Sequence, residues 1–343
     1  MVLDISYPSS VPAYVVRKDS ADHVTGCVEP IAPEMLPPGD VLIRVAYSSL
    51  NYKDALACQG HPGVVRTFPH VPGIDCAGTV VESASPAYQS GDEVLVTGYE
   101  LGAGQWGGFA ALVRVPAEWV VPLPVGLTLR EAMIYGTAGF TAAQSVTAIL
   151  ERGITPDGGP VIVTGATGGV GSLAVAILAK LGYEVAAVTG KRDHADWLKQ
   201  LGAQSILDRS AVIDDSDNLL LPAKWAAAVD TVGGRPLATI LRSTKYRAVV
   251  AACGLVAGLE IPITVYPFIL RGVTLAGIDS AKCPRPQRLE MWSKLAGSWR
   301  IEQLNDLAEE ATLDELPDRV QRILAGQIVG RTLIVPRSTK IGV

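Results

Sequence analysis

Residues 164–171 read TGATGGVG and stand between an apolar run, PVIVT, and a helix-forming run, VGSLAVAILAK. That order limits what the chain can fold into more than any other feature. Glycines let the backbone turn tightly and bring main-chain N–H groups up to a phosphate. The helix that follows points its unpaired amides and the positive end of its dipole at the same place. Ala166 occupies a position where many such fingerprints have glycine, while Gly168 and Gly171 keep theirs. A second apolar run, EVAAVTG, comes after the helix, so strand, turn, helix and strand fall in the order of a dinucleotide-binding unit. A turn that merely closes a strand into a helix would explain the glycines but not the whole order. The pyrophosphate cradle is therefore expected at Ala166, Thr167, Gly168, Gly169, Val170 and Gly171.

The second run ends Val188, Thr189, Gly190, Lys191, Arg192. It lacks the acidic residue that would receive the adenine ribose hydroxyls of NAD, and Glu184 lies at its wrong end. Thr189 and Gly190 leave room for a ribose phosphate, whose charge Lys191 or Arg192 can balance, which favours NADPH over NADH. The plainer reading is a solvated basic pair opening the next helix.

The 343 residues suit two domains. A composition 48% hydrophobic and 18% charged, with 35 glycines, fits buried parallel strands and tight turns rather than disorder. A net charge of -5 provides no basic field for nucleic acid. Residues 1–10 lack the basic start and apolar core of a signal peptide, so a cytoplasmic protein is expected. Residues 158–179 carry no charge, but their glycine cluster fits a buried strand and helix better than a membrane span. The five cysteines are scattered without the spacing of a zinc clip and read as reduced, mostly structural thiols.

The first third alternates β-rich runs such as DVLIRVAYSSL and DEVLVTG with Pro/Gly turns, as in a twisted, partly closed β-domain. EAMIYGTAGFTAAQSVTAILERG should be a helix bridging two domains. Alternating strands and helices then imply a parallel sheet with right-handed crossovers. The terminal pattern LDELPDRVQRILAG and GRTLIVP reads as a helix and a strand that return to the first domain.

SLNYKDALA, FPHVPGIDCAGTV, GTAGFTA, VTGATGGVGSLAVAILAKLGYEV, DTVGG, AACGL and PFILRGVTLAGIDS together resemble the NADPH-dependent acrylyl-CoA reductases of the quinone-oxidoreductase-like branch of medium-chain dehydrogenases. With the GRTLIVP tail the resemblance spans nearly the whole chain. It implies an α/β protein with a GroES-like catalytic domain, residues 1–133 and 281–343, and a doubly wound Rossmann domain, residues 134–280, with the active cleft where they meet. It also implies a homodimer. Zinc dehydrogenases of the wider superfamily carry Gly-His-Glu where this chain has Gly73-Ile74-Asp75, and a four-cysteine lobe missing here, so no metal is expected.

The resemblance carries nucleotide contacts onto Tyr52, Thr167 to Val170, Thr189, Gly190, Lys191, Arg209, Leu255, Ile269 and Ser280. Arg209 follows the SILD strand and is a second candidate cation for the ribose phosphate. One family asparagine contact falls on or near Gly326 and stays unassigned. The implied reaction reduces the double bond of acrylyl-CoA, with hydride delivered to the β-carbon, a proton to the α-carbon, and hydrogen bonds holding the enolate. Tyr52 is the candidate for orienting the nicotinamide or donating the proton, against the simpler role of a core tyrosine, with Asn51 and Asp54 as catalytic neighbours. Arg66, Arg271, Lys282, Arg285 and Arg288 are candidates for CoA phosphates, against an ordinary solvated surface. A quinone or enone reductase and a non-catalytic NADPH-binding protein are the alternatives.

Overall fold

The computed structural model describes residues 9–337. The chain divides into two compact units, Met1–Thr137 with Gln303–Val343, and Ala138–Glu302. Most of the segment read as lacking a secretion signal, residues 1–8, lies outside the described residues.

The first unit opens with an antiparallel pair, β1 (Val11–Lys18) and β2 (Val24–Ile31). Next come β3 (Val41–Ser49), the one-to-two-turn helix α1 (Tyr52–Cys58), β4 (Asp75–Ser83), β5 (Glu93–Thr97), β6 (Leu112–Val115) and β7 (Val121–Pro122). β3 pairs antiparallel with β4 and β6, and β5 with β4 and β7. Alternate residues of β3 serve two cores. Val41, Ile43 and Val45 pack with Val80, Val94 and Val113, whereas Leu42 packs with Tyr14, Phe109 and Leu112, the period-two consequence of an extended chain covered on both faces. The segment FAALVRVPAEWVVPLP forms two short strands, β6 and β7, with a 3-10 turn at Ala117–Trp119 between them.

α2 (Leu129–Glu151) begins in this unit and is broken at Gly136, whose φ of 47° and ψ of -154° are not helical. A side chain there would strike the Asp75 carboxylate and the Ser49 hydroxyl, each 2.6 Å from an ideal Cβ, so glycine is needed both for conformation and for space.

The second unit contains β8 (Val161–Val163), α3 (Gly169–Lys180), β9 (Val185–Val188), α4 (Ala195–Gln200), β10 (Ser205–Leu207) and β11 (Trp225–Asp230). It continues with α5 (Gly234–Ser243), β12 (Thr244–Ala252), α6 (Tyr266–Arg271), β13 (Thr274–Gly277) and α7 (Arg285–Ala296). Its six strands are all parallel, in the order β10-β9-β8-β11-β12-β13. The chain starts in the middle, builds outward to β10 and returns to build the other half, which is the doubly wound pattern with a switch point between β8 and β11.

The chain then re-enters the first unit as β14 (Ala308–Thr312), α8 (Leu316–Leu324) and β15 (Arg331–Val335). β15 pairs antiparallel with β3 and parallel with β14, so the tail strand completes the first sheet as its sequence implied. Residues 281–302, assigned by sequence to the first domain, belong to the second unit. The reason lies in α7, where Trp292 stacks on Phe140, and the Arg288 guanidinium sits 4.8 Å from the centre of the same ring.

Candidate functional site

The doubly wound order brings distant residues to one edge of the second unit's sheet. Residues 164–171 follow β8, Thr189 to Lys191 follow β9, Arg209 follows β10, Leu255 follows β12 and Ser280 follows β13. In such sheets ligands bind at the carboxyl ends of the strands beside the switch point. Ile269 follows no strand directly and lies on α6, where it is exposed.

Gly168 is the N-cap of α3, no side chain caps that end, and its first turn contains no acidic residue. Gly171 has to be glycine, because a Cβ would lie 2.3 Å from the carbonyl oxygen of Gly165. The turn is held from several sides. Ala166 N–H donates to the Val188 carbonyl at 3.0 Å, and the Thr167 and Thr189 hydroxyls share a hydrogen bond of 3.1 Å. Thr189 Oγ1 also accepts from Lys191 N–H at 3.0 Å.

The sequence reading did not single out Asp230, at the end of β11. Its buried carboxylate accepts from Thr164 Oγ1 at 2.8 Å and Gly233 N–H at 2.7 Å, while Thr231 exchanges two bonds with Thr164. These bonds tie β11 to β8 at the switch point. The signal was present in DTVGG, an acid and a hydroxyl closing an apolar strand.

At the end of β9 two cations face one small space. The Arg209 guanidinium would be 2.4 Å from a Cβ at Gly190, so it lies over that glycine. Burial, and then the positive charge of Arg209, push the Lys191 ammonium below its ordinary range. Two cations that disfavour each other beside a glycine are complementary to a phosphate. Arg192 is committed elsewhere, to an ion pair with Asp208 at 3.0 Å.

In the first unit, Asn51 is the N-cap of α1 and Tyr52 its first residue. Tyr52 is 37% exposed, whereas Asn51 is 9% exposed and Asp54 is fully buried. Asp54 accepts from Asn51 N–H and Ile74 N–H, both at 2.8 Å. Asn51 Nδ2 donates to Asp75 at 2.8 Å, and its Oδ1 accepts from Arg331 at 3.2 Å. Asn51 and Asp54, the candidate catalytic neighbours of Tyr52, are thus both bonded within the turn that carries it. Their polar atoms are spent on the turn beneath Tyr52, and Tyr52 is the member of the three that reaches the surface.

The arginines divide in the same way. Arg288 has no exposed surface and donates to the carbonyls of Ser280 and Ala281, each at 3.1 Å. Arg271 donates to the carbonyls of Leu221, Arg242 and Thr244. Both hold backbone together, Arg288 buried and Arg271 half-buried. Arg66 and Lys282 are exposed and Arg285 is half-buried.

A zinc site does not fit these residues. Among the described residues no group of three or more His, Cys, Asp or Glu side chains could hold a metal ion. The Asp75 carboxylate is surrounded by hydrogen-bond donors, and burial pushes the thiol of the adjacent Cys76 up to about 12.

A 3-2-1-4-5-6 parallel sheet with an uncapped glycine turn, joined in one chain to a β-rich unit built from both chain ends, defines a dinucleotide-dependent dehydrogenase or reductase class. Residues 37–125 match the alcohol dehydrogenase GroES-like domain model, and residues 169–296 match the model described as zinc-binding dehydrogenase. The acrylyl-CoA reductase of Ruegeria pomeroyi is 48% identical over 94% of this chain and 98% of its own. The yhdH oxidoreductase of Salmonella enterica, solved in complex with NADP, superposes with a TM-score of 0.91 at 45% identity, covering 94% of this chain and 99% of that one. Bacillus subtilis yhfP, solved with NAD bound, gives a TM-score of 0.92 at 47% identity, covering 96% and 100%. The chain belongs to the medium-chain dehydrogenase/reductase family.

Proposed function

We propose that the protein reduces the carbon–carbon double bond of acrylyl-CoA to propanoyl-CoA with NADPH. The thioester assignment is carried by the near-full-length identity with the acrylyl-CoA reductase of Ruegeria pomeroyi. The choice of NADPH is supported by the Lys191 and Arg209 cations beside Gly190. When bound, the reduced cofactor supplies the hydride. The chain's residues bind, orient and move a proton. The α3 N-terminus and the backbone of residues 166–171 hold the pyrophosphate. Thr189, Gly190, Lys191 and Arg209 take the ribose phosphate, and Leu255, Ile269 and Ser280 complete the nucleotide contacts.

Tyr52 is assigned to orienting the reduced ring or delivering the proton to the α-carbon as hydride reaches the β-carbon. Arg66, Lys282 and Arg285 are assigned to CoA phosphates. No helix among the described residues is long and apolar enough to cross a membrane, and we place the enzyme in the cytoplasm as a homodimer. The test mixes metal-stripped protein with NADPH and acrylyl-CoA and follows loss of nicotinamide absorbance, repeated with NADH and with a benzoquinone. Rapid oxidation of NADPH by acrylyl-CoA is the expected result. Turnover with the quinone alone would transfer the assignment to the quinone oxidoreductases, and NADPH binding without turnover of any alkene would make it a binding protein.

A further inference from the structure

Tyr52 needs a fixed turn to act as proposed above. The turn is anchored on a buried carboxylate that neither the glycine turn nor the exposed tyrosine involves. Asp75, the first residue of β4, is fully buried. Its Oδ2 accepts from the Ser49 hydroxyl at 2.6 Å, Asn51 Nδ2 at 2.8 Å and Thr137 N–H at 2.9 Å, and its Oδ1 accepts from the Thr137 hydroxyl at 2.5 Å. The Arg331 guanidinium is 4.0 Å from Oδ2 and donates to the carbonyls of Ile134 and Leu50 and to Asn51 Oδ1.

One carboxylate therefore joins the end of β3, the residue before Tyr52, the break in α2 and, through Arg331, the last strand. Gly136 exists in its unusual conformation directly against this carboxylate, which a Cβ would meet at 2.6 Å. Resting on the assignment of Tyr52 above, we propose that Asp75 is the positioning residue that holds the Asn51–Tyr52 turn in its working geometry. It acts through Asn51 and touches no substrate. Only an acceptor satisfies four donors here. An amide of the same shape must turn an N–H toward at least one of them, and a misplacement of about 1 Å costs roughly a hundredfold in rate.

The experiment uses the full chain carrying Asp75→Asn. Expected are a fall in kcat of about a hundredfold, an NADPH Kd within about threefold of the parent by nucleotide fluorescence, and amide exchange across residues 51–58 accelerated about tenfold with the second unit's sheet still protected. Adding Tyr52→Phe to this variant should cost almost nothing further, because residues acting as one unit are not additive. A folded Asp75→Asn protein with parental kcat and exchange overturns the proposal, as does loss of NADPH affinity in step with kcat. Should Asp75→Asn fail to fold, Ser49→Ala with Thr137→Val removes two of the donors and is read the same way. A parent that turns over neither acrylyl-CoA nor quinone defeats the functional assignment alone, since the exchange comparison still reports on the turn.

Discussion

Asp54 carries an electrostatic load that its neighbours do not relieve. Burial, followed by the negative charge of Asp75, raises its carboxyl to about 7, while the N–H groups of Asn51 and Ile74 pull the other way. Arg331, the cation of this group, is itself pushed below its usual range by burial. Between about pH 4 and 7 the folded protein keeps a proton that the unfolded chain has released, so this group's contribution to stability falls as pH rises through that window. Asp54→Asn removes the dependence. Its cost in denaturant melts should therefore be larger at pH 5 than at pH 8, and an equal or larger cost at pH 8 would contradict the buried, partly protonated carboxyl. The sequence held a clue to this role. Asn51 and Asp54 stand three apart at a helix start, the spacing of a capping box, so Asp54 could have been read as an anchor rather than as a catalyst. The Asp75 contacts had no such local sign, because Ser49, Thr137 and Arg331 meet it only after the strands have paired.

At the scale of elements, α3 depends on how closely its first turn approaches the end of β8. Gly171→Ala would place a methyl 2.3 Å from the Gly165 carbonyl oxygen and 2.8 Å from Ala166 Cα. Since both are backbone atoms, the helix must move. The expected cost is about 1–3 kcal/mol of stability together with at least a tenfold weaker NADPH Kd, read by thermal melting and nucleotide titration. Unchanged affinity would remove the pyrophosphate from this turn. β8, α3, β9 and β11 were legible because their apolar runs are unbroken and bounded by glycine. α4 was not fully so. The helical run after Gly190 opens with a 3-10 turn at Arg192–His194, leaving a helix of six residues. β13 has four residues, none buried, too few for a period to be visible.

For the whole molecule, β13 ends the parallel sheet with no neighbour on its outer side among the described strands, and a row of apolar side chains lies close to it in sequence. Val256, Leu259, Val265, Ile269 and Leu270 are each more than half exposed. An open strand edge flanked by apolar surface suits pairing with a second copy of the same chain. Light scattering should give twice the chain mass for the parent, and Leu259→Asp with Leu270→Asp should give the single-chain mass. A monomeric parent would refute the homodimer. The β-rich first part, the parallel sheet and the return of the tail were readable from pattern and resemblance. The change of unit near residue 302 was not, because α7 is assigned by what Trp292 and Arg288 touch rather than by any break in composition.

The position of β15 between β14 and β3 also sets a schedule for synthesis. The ribosome makes the first unit's opening segment first, yet β3 lacks β15 and Asn51 lacks Arg331 until residues 331–335 emerge, when the parallel sheet of the second unit has long been available to fold. The turn that presents Tyr52 thus gains its Arg331 contact only when the last strand of the nascent chain has emerged.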